Sequence, residues 1–570
     1  MKIALSAAAL AVAATVTLWS APVDACGCFA PPDPTVPVVQ AGERIIFATE
    51  NGEVTAHIQI SYDGPAAEFG WLLPLPSVPD LQLGSDEVFN VVTAQTQPKY
   101  RLNRVYEGNC TFDPSRILRA ANAGAPEADS GAAGGSGSAS PLVIQDSVGP
   151  YDYAVLKADN KDEMLKWLND NRYFIPVGTQ DAVGPYIRPG AYFLALKLKS
   201  GKSTGDLQPV VLRYQSDLPM IPLVLTSVAA KPDMGIQVWM LGEGRAIPRN
   251  YYHTVINDAL IDWNTGGANY NDVIIAATKE APDHHTFVTE YAGTSSIMDG
   301  LLDYPGRFGS EAELAAMPDA VSFVEYLWAH NFQIQSQGQQ AFFTQPAFPA
   351  TLDAILGRYI PVPQGMLDQG YTASGFYSNI RYFLGDFRAR NPQLFVNYSI
   401  DYRPAEMAQE IFERVVTPAR EASKLFAEHP YLTRLYTTIS PDDMNKDPVF
   451  SFNPSLPDWS NVHEATLTYH CGSYASDQTH TPATLVTESG YAQIFNGGFG
   501  GGTFQPPNLP ASLRVEILRE EGAPETIINN VDVILRKAGG CTTAGLELSG
   551  AAALVALAGL VRSARRRAKK

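Results

Sequence analysis

The chain has 570 residues and a formal net charge of −18, from 59 acidic and 41 basic side chains. Taking Lys2 and six C-terminal cations from the basic count, and Asp24 and Glu547 from the acidic count, leaves 34 basic and 57 acidic residues, so that residues 26–541 carry −23. An acidic body repels phosphate backbones, which argues against a nucleic-acid partner. A body of this length also exceeds one ordinary hydrophobic core and predicts two to four units.

The first 25 residues predict a cleaved secretory signal. Lys2 is followed by an apolar run from Ile3 to Trp19, and the segment ends at Ala25, a small residue that suits signal peptidase. We therefore expect an exported protein whose mature chain begins at Cys26.

The C-terminal segment, residues 538–570, predicts a membrane anchor. Its residues 542–561 are largely apolar or small and precede a cluster of cations, which is a spanning length with a positive cytoplasmic flank. Cys541, the short apolar helix and the cluster Arg565, Arg566 and Arg567 resemble the C-terminal sorting signals of myxobacterial surface proteins. That resemblance implies processing near Cys541 and a body that faces the periplasm or the cell surface; a plain stop-transfer helix is the alternative.

Five cysteines remain after export, and four of them stay in the body if Cys541 belongs to the sorting signal. An oxidising compartment and an even number favour disulfides. A bond between Cys26 and Cys28 would close a small, strained ring, so we expect one of this pair to bond Cys110 and the other Cys471. Lipid attachment and a Cu(I) site are the less favoured readings of the Cys26-Gly27-Cys28 motif.

The pattern along the chain predicts an α+β fold with a β-rich body. The stretches 43–76 and 191–227 each read as strand, strand and proline-containing strand, which suggests either a duplicated antiparallel meander or two unrelated meanders. We divide the chain into a signal peptide (1–25), an N-terminal β meander (26–119), a flexible linker (120–147), a second α+β unit (148–295), a helical block (296–430), a C-terminal β region (431–537) and the sorting signal or transmembrane anchor (538–570).

The sequence assembles no catalytic motif. His463, Glu464 and His470 do not have the spacing of a zinc protease, and the strand pattern sends the two histidines to opposite faces. The pair His284-His285 reads as a polar turn. We predict no catalytic residue, no metal site and no cofactor, and we retain Asp258, Asp262, Glu290, His284 and His285 as the groups that would converge if the protein were a hydrolase.

Several stretches of the body resemble the bacterial family of the domain of unknown function 2330. They are "ACGCFAPP" at 25–32, "QAGERIIFA", "VTAHIQISYDGPAAEFGWLLPLPSVP", "VGPYDYAVLKADNKDEMLKWLNDNRYFIP" and "LRYQSDLPMIPLVLTS". The resemblance spans roughly residues 25–300. It implies an exported bacterial protein with an opening Cys-x-Cys motif, often tethered to a membrane, and it implies no particular activity.

Two functions remain open at this level. The first is a membrane- or surface-anchored envelope protein that binds a protein or a glycan, or serves structurally, without catalysis. The second is an exported hydrolase, with or without the help of a metal ion, whose site is assembled from distant residues. Convergence of the five retained acidic and histidine residues in one pocket would favour the second.

Overall fold

The computed structural model describes residues 39–63, 70–108, 142–173, 175, 180–199, 207–334, 346–471, 481–496 and 504–538. The predicted signal with Ala25, the C-terminal anchor with its arginine cluster, and Cys26, Cys28, Cys110 and Cys541 lie outside these ranges. The predicted linker also lies outside them, except for its last residues. Those residues form a strand that begins at Leu142, because they pair with the following strand in an antiparallel hairpin.

The described chain is α+β, as expected from the sequence. Its strands are β1 (Val39–Glu50), β2 (Glu53–Asp63), β3 (Gly70–Leu75), β4 (Asp80–Leu83), β5 (Lys99–Gly108), β6 (Leu142–Val148), β7 (Tyr151–Lys157), β8 (Tyr192–Leu198), β9 (Val210–Gln215), β10 (Ala230–Gly242), β11 (Arg245–Pro248), β12 (Tyr252–Ile256), β13 (Thr286–Thr294), β14 (Tyr431–Ile439), β15 (Phe450–Asn453), β16 (Val462–Cys471), β17 (Ala483–Val486), β18 (Ala492–Phe495), β19 (Ser512–Ile517) and β20 (Glu525–Asn529).

Its α-helices are α1 (Asp86–Thr96), α2 (Lys161–Asp170), α3 (Leu223–Thr226), α4 (Tyr270–Thr278), α5 (Glu311–Ala315), α6 (Ala320–Ala329), α7 (Ala350–Tyr359), α8 (Gln364–Leu367), α9 (Ala373–Ser378), α10 (Ile380–Tyr382), α11 (Arg388–Arg390), α12 (Pro404–Ile411), α13 (Thr417–Glu428) and α14 (Val531–Ala538). The helical block predicted over 296–430 contains α5 to α13, which enclose a hydrophobic core of their own.

A ten-stranded mixed sheet forms the centre of the structure, in the order β20-β19-β12-β13-β14-β10-β1-β2-β9-β4. Two four-stranded sheets, β3-β8-β7-β6 and β18-β17-β16-β5, and the pair β11-β15 complete the β structure in the described ranges. The largest hydrophobic cluster packs one face of the central sheet against the β3-β8-β7-β6 sheet.

The hairpin β1-β2 supplies the first two strands predicted in the stretch 43–76. Asn51 and Gly52 connect the strands with φ angles of 51° and 77°. Both angles lie in the left-handed region that a two-residue hairpin turn requires, which Asn and Gly adopt at low cost. Alternate residues Val54, Ala56 and Ile58 are buried against the main core.

The predicted three-stranded meanders are wrong in their third strands. Strand β3 leaves the β1-β2 sheet and pairs with β8, while β9 pairs with β2, so the two supposed copies exchange partners. Pro74 in β3 fits this outcome, because β3 is an edge strand and proline donates no ladder hydrogen bond. The apolar stretch after β9 forms α3, where the Asp447 carboxylate accepts a hydrogen bond from the Val224 amide.

Candidate binding cavity around Glu43

An apolar cavity lies between the central sheet and strand β3. It has a volume of about 290 Å³ and is floored by β1, β2 and β9. Its apolar lining includes Ile45, Phe47, Ala56, Ile58, Leu73 and Leu212. The volume is at the lower end of the range of small-molecule sites, and such sites are mostly apolar with a few placed polar groups.

One carboxyl group faces this apolar lining. Glu43 is two residues before Ile45 and four before Phe47, so strand alternation places all three side chains on the same face of β1. Its neighbours across the sheet are Ile60 in β2 and Ile236 in β10. The Glu43 side chain is 4% exposed, which puts an ionisable group where apolar residues normally lie.

Burial raises the pKa of Glu43 to about 7, against 4.5 for an ordinary glutamate. Desolvation disfavours the charged form, and the hydrogen bond donated by Gln40 Nε2 at 3.4 Å lowers the pKa only in part. The carboxyl is therefore about half protonated near neutral pH. As an acid it can donate a hydrogen bond into the cavity as well as accept one.

Of the other polar side chains that line the cavity, Tyr186 and Ser216 have partners of their own, and the exposed Arg188 and the buried Tyr214 also line it. The Tyr186 hydroxyl donates to both carboxylate oxygens of Asp447, at 3.0 and 2.8 Å, and the Ser216 hydroxyl donates to the Leu218 carbonyl. Glu43 is the one carboxylate among the described lining residues. The cavity thus offers mainly apolar contact, one carboxyl whose pKa is about 7, and the Arg188 guanidinium and Tyr214 hydroxyl as further polar groups.

The five residues retained for a hydrolase do not form one site. Asp258 and Glu290 do line a common second cavity. Asp262 instead accepts hydrogen bonds from the Asn264 and Thr265 amides at the start of a 3₁₀ turn. His284 and His285 contact Asp443, through its carboxylate at 2.9 Å and its carbonyl at 2.8 Å, so this pair joins two turns as a polar linkage.

The remaining sequence-selected residues are also separated. His463 contacts Glu488, while His470 contacts Glu107 and Thr484 farther along β16. Cys471, at the end of that strand, is disulfide-bonded, and its partner lies outside the described residues. Within the described ranges, no group of three or more His, Cys, Asp and Glu side chains is arranged to hold a metal ion.

Sequence reasoning missed Glu43, although a signal for it was present. In "GERIIFA" an acidic residue has the same parity as Ile45 and Phe47. That parity alone does not mark Glu43, because Ile46 has the opposite parity and is buried as well. Both faces of β1 are covered, and only the topology shows which face holds the cavity.

Comparison with known proteins identifies the family but no activity. Residues 22–344, more than half of the chain, match a family described as an uncharacterized protein conserved in bacteria, DUF2330. No curated protein and no solved structure matches the chain. The family match includes every described lining residue of the Glu43 cavity except Val449. The chain therefore belongs to the DUF2330 family of bacterial proteins.

Proposed function

We propose that this is an exported, membrane-anchored envelope protein that binds a neutral, largely apolar small molecule in the Glu43 cavity without transforming it. The observation that carries the binding role is a buried carboxyl with a pKa of about 7 in an apolar cavity of about 290 Å³. A ligand that fills the cavity removes water from Glu43 and so favours the protonated acid further. The ligand class is a molecule with an apolar body and one hydrogen-bonding end, such as an ester or an alcohol.

A binding isotherm with methyl octanoate tests this assignment. We expect the full-length protein to bind one equivalent at pH 5, with the ester oxygen accepting a hydrogen bond from Glu43. Ala191 lines the cavity and is 5% exposed, so Ala191→Leu fills the site and should weaken binding at least tenfold. Unchanged affinity in a folded Ala191→Leu variant would place the ligand elsewhere.

The hydrolase alternative is favoured by one feature of the same site. A carboxyl with a pKa near 7 is suited to general acid–base catalysis. Incubating the protein with methyl octanoate separates the two functions. Recovery of intact ester supports binding alone, whereas release of octanoate that is lost in Glu43→Gln supports the hydrolase.

Export and anchoring rest on the two ends of the sequence. No helix within the described ranges is long and apolar enough to cross a bilayer, and the predicted anchor lies outside those ranges. We expect the mature protein to fractionate with membranes and deletion of 542–570 to release it, because that deletion removes the apolar stretch and its cationic flank. Full-length protein in the soluble fraction would contradict the anchor.

A further inference from the structure

A second cavity lies where two parallel strands separate. Strands β12 and β13 pair only at Tyr252 with Thr286 and at His253 with Phe287. Beyond these pairs the two strands no longer pair with each other, and residues 255–256 at the end of β12 and 288–290 within β13 line a cavity of about 360 Å³. We refer to this space as the strand-split cavity.

Four carboxylates line the strand-split cavity: Asp258, Glu290, Asp458 and Glu488. Two of them have cationic or ionisable partners, since Glu290 pairs with Arg434 and Glu488 contacts His463 Nδ1 at 3.4 Å.

The other two carboxylates accept hydrogen bonds from uncharged donors. Asp258 accepts from the Thr487 hydroxyl and the Ser489 amide, both at 2.9 Å. Asp458 accepts from the Tyr431 hydroxyl at 2.7 Å. Within the described residues neither carboxylate forms an ion pair, so the cavity carries uncompensated negative charge.

A buried tyrosine, Tyr100, lines this cavity and has a hydroxyl without a hydrogen-bond partner in the described ranges. Tyr100 is 8% exposed. Its ring is fixed by Trp263, with centroids 5.2 Å apart, and by stacking on His463 at 5.0 Å. Gly267, at φ +85°, closes the pocket around the ring, because a Cβ there would lie 2.5 Å from Tyr100 Cδ2.

The carboxylates of the cavity act electrostatically on the Tyr100 hydroxyl. Burial raises the pKa of Tyr100 well above 10, and the charges of Glu290, Asp258 and Glu488 raise it further. The hydroxyl therefore stays protonated, and its oxygen remains available to accept a hydrogen bond from a cation.

We propose that the strand-split cavity binds a small organic ammonium ion, with Asp258 and Asp458 as its counter-charges and the Tyr100 hydroxyl oxygen as a hydrogen-bond acceptor. A neutral sugar would desolvate these carboxylates without compensating their charge, which is costly. The carboxylates are also not grouped as a metal site within the described residues. This site is separate from the Glu43 cavity, since the two share no lining residue. Asp458, His463 and Glu488 lie beyond residue 344, so the site combines the family region with the C-terminal β region.

Calorimetric titration of the full-length protein with putrescine at low salt tests the proposal. Tyr100→Phe removes only the hydroxyl and breaks no hydrogen bond within the described residues, so it should leave the urea midpoint unchanged and weaken putrescine binding about tenfold. Asp458→Asn should weaken binding to a similar extent, and added NaCl should weaken binding to the wild type.

The matched control is Asp386→Asn, a charge removal in the helical block at a side chain that is 83% exposed. This variant and Glu43→Gln should both bind putrescine as the wild type does. Equal putrescine affinity in wild type, Tyr100→Phe and Asp458→Asn would overturn the proposal. So would Ca²⁺ or glucose binding in place of putrescine, or putrescine binding that is insensitive to salt.

Discussion

Glu43 couples the apolar cavity to the pH dependence of folding. Its folded pKa of about 7 lies above the ordinary value of 4.5, so the folded state holds its proton more tightly than the unfolded chain does. Stability is therefore lost as the pH rises from about 4.5 to 7, while the unfolded chain ionises freely and the buried group does not. An acid that destabilises the fold at neutral pH fits a binding role better than a structural one.

Glu43→Gln should remove this loss of stability with rising pH. Between pH 5 and pH 8 we expect the wild type to lose about 2 kcal/mol more unfolding free energy than the variant does, from a shift of roughly 2.5 pKa units. Urea denaturation at the two pH values measures the difference. Glu50→Gln, an exposed change on the same strand, is the control and should behave as the wild type. Parallel losses in wild type and Glu43→Gln would show that Glu43 titrates normally.

His57 makes stability depend on pH in the opposite direction to Glu43. Burial, followed by the charge of Arg213, lowers the pKa of His57 to about 4, and its Nδ1 has no hydrogen-bond partner within the described structure. The folded state therefore holds a neutral imidazole, and stability is lost as the pH falls from about 6.5 to 4. Between pH 7 and pH 5, the wild type should lose about 2 kcal/mol more unfolding free energy than His57→Gln does.

The control for that experiment is His470→Gln, whose side chain is 44% exposed. The variant should lose stability between pH 7 and pH 5 as the wild type does. If His57→Gln shows the same loss as the wild type, His57 is hydrated in solution and titrates like an ordinary histidine.

At the level of elements, Glu43 in β1 and His57 in β2 lie on opposite faces of the central sheet, and both faces are covered. The alternation of Val54, Ala56 and Ile58 places these side chains on one face of β2, and all three are buried. His57 lies on the opposite face of β2 and is buried as well, because α13 and neighbouring segments cover that face. Residue parity tells which side chains share a face, and it does not tell what packs on that face.

The hairpin turn is the element that local sequence determined best. Gly52 has φ +77°, so Gly52→Ala should cost roughly 1–2 kcal/mol of unfolding free energy, although a Cβ there would meet nothing within 4 Å. Gly184→Ala is the control, since that glycine has open space and no positive φ. Equal stability of the two variants would mean that the turn relaxes without strain.

The local sequence pattern does not predict which strands pair with each other. Strand β3 pairs with β8 across more than a hundred residues, and β5 pairs in parallel with β16 across more than three hundred. Such long-range pairing depends on competition among several similar apolar strands. The same limit hid the strand-split cavity, because Asp258 and Glu290 meet Tyr100 and Glu488 only after those strands have paired.

At the scale of the whole molecule, the β5-β16 pairing bears on the disulfides. Cys471 is disulfide-bonded and lies beside Gly108, two residues before Cys110. We therefore propose Cys110 as its partner, in place of the sequence-based pairing with Cys26 or Cys28. A tryptic map without reduction should contain the Cys110–Cys471 peptide pair. A Cys471 peptide joined to Cys26 or Cys28 would restore the sequence-based pairing.

The most direct test of the binding role is the pH profile of methyl octanoate affinity in the full-length protein. Because the ligand favours protonated Glu43, wild-type affinity should fall about tenfold between pH 5 and pH 8. Glu43→Gln mimics the neutral acid and should bind equally at both pH values. Equal wild-type affinity at pH 5 and pH 8, or the same tenfold fall in Glu43→Gln, would contradict ligand binding to protonated Glu43.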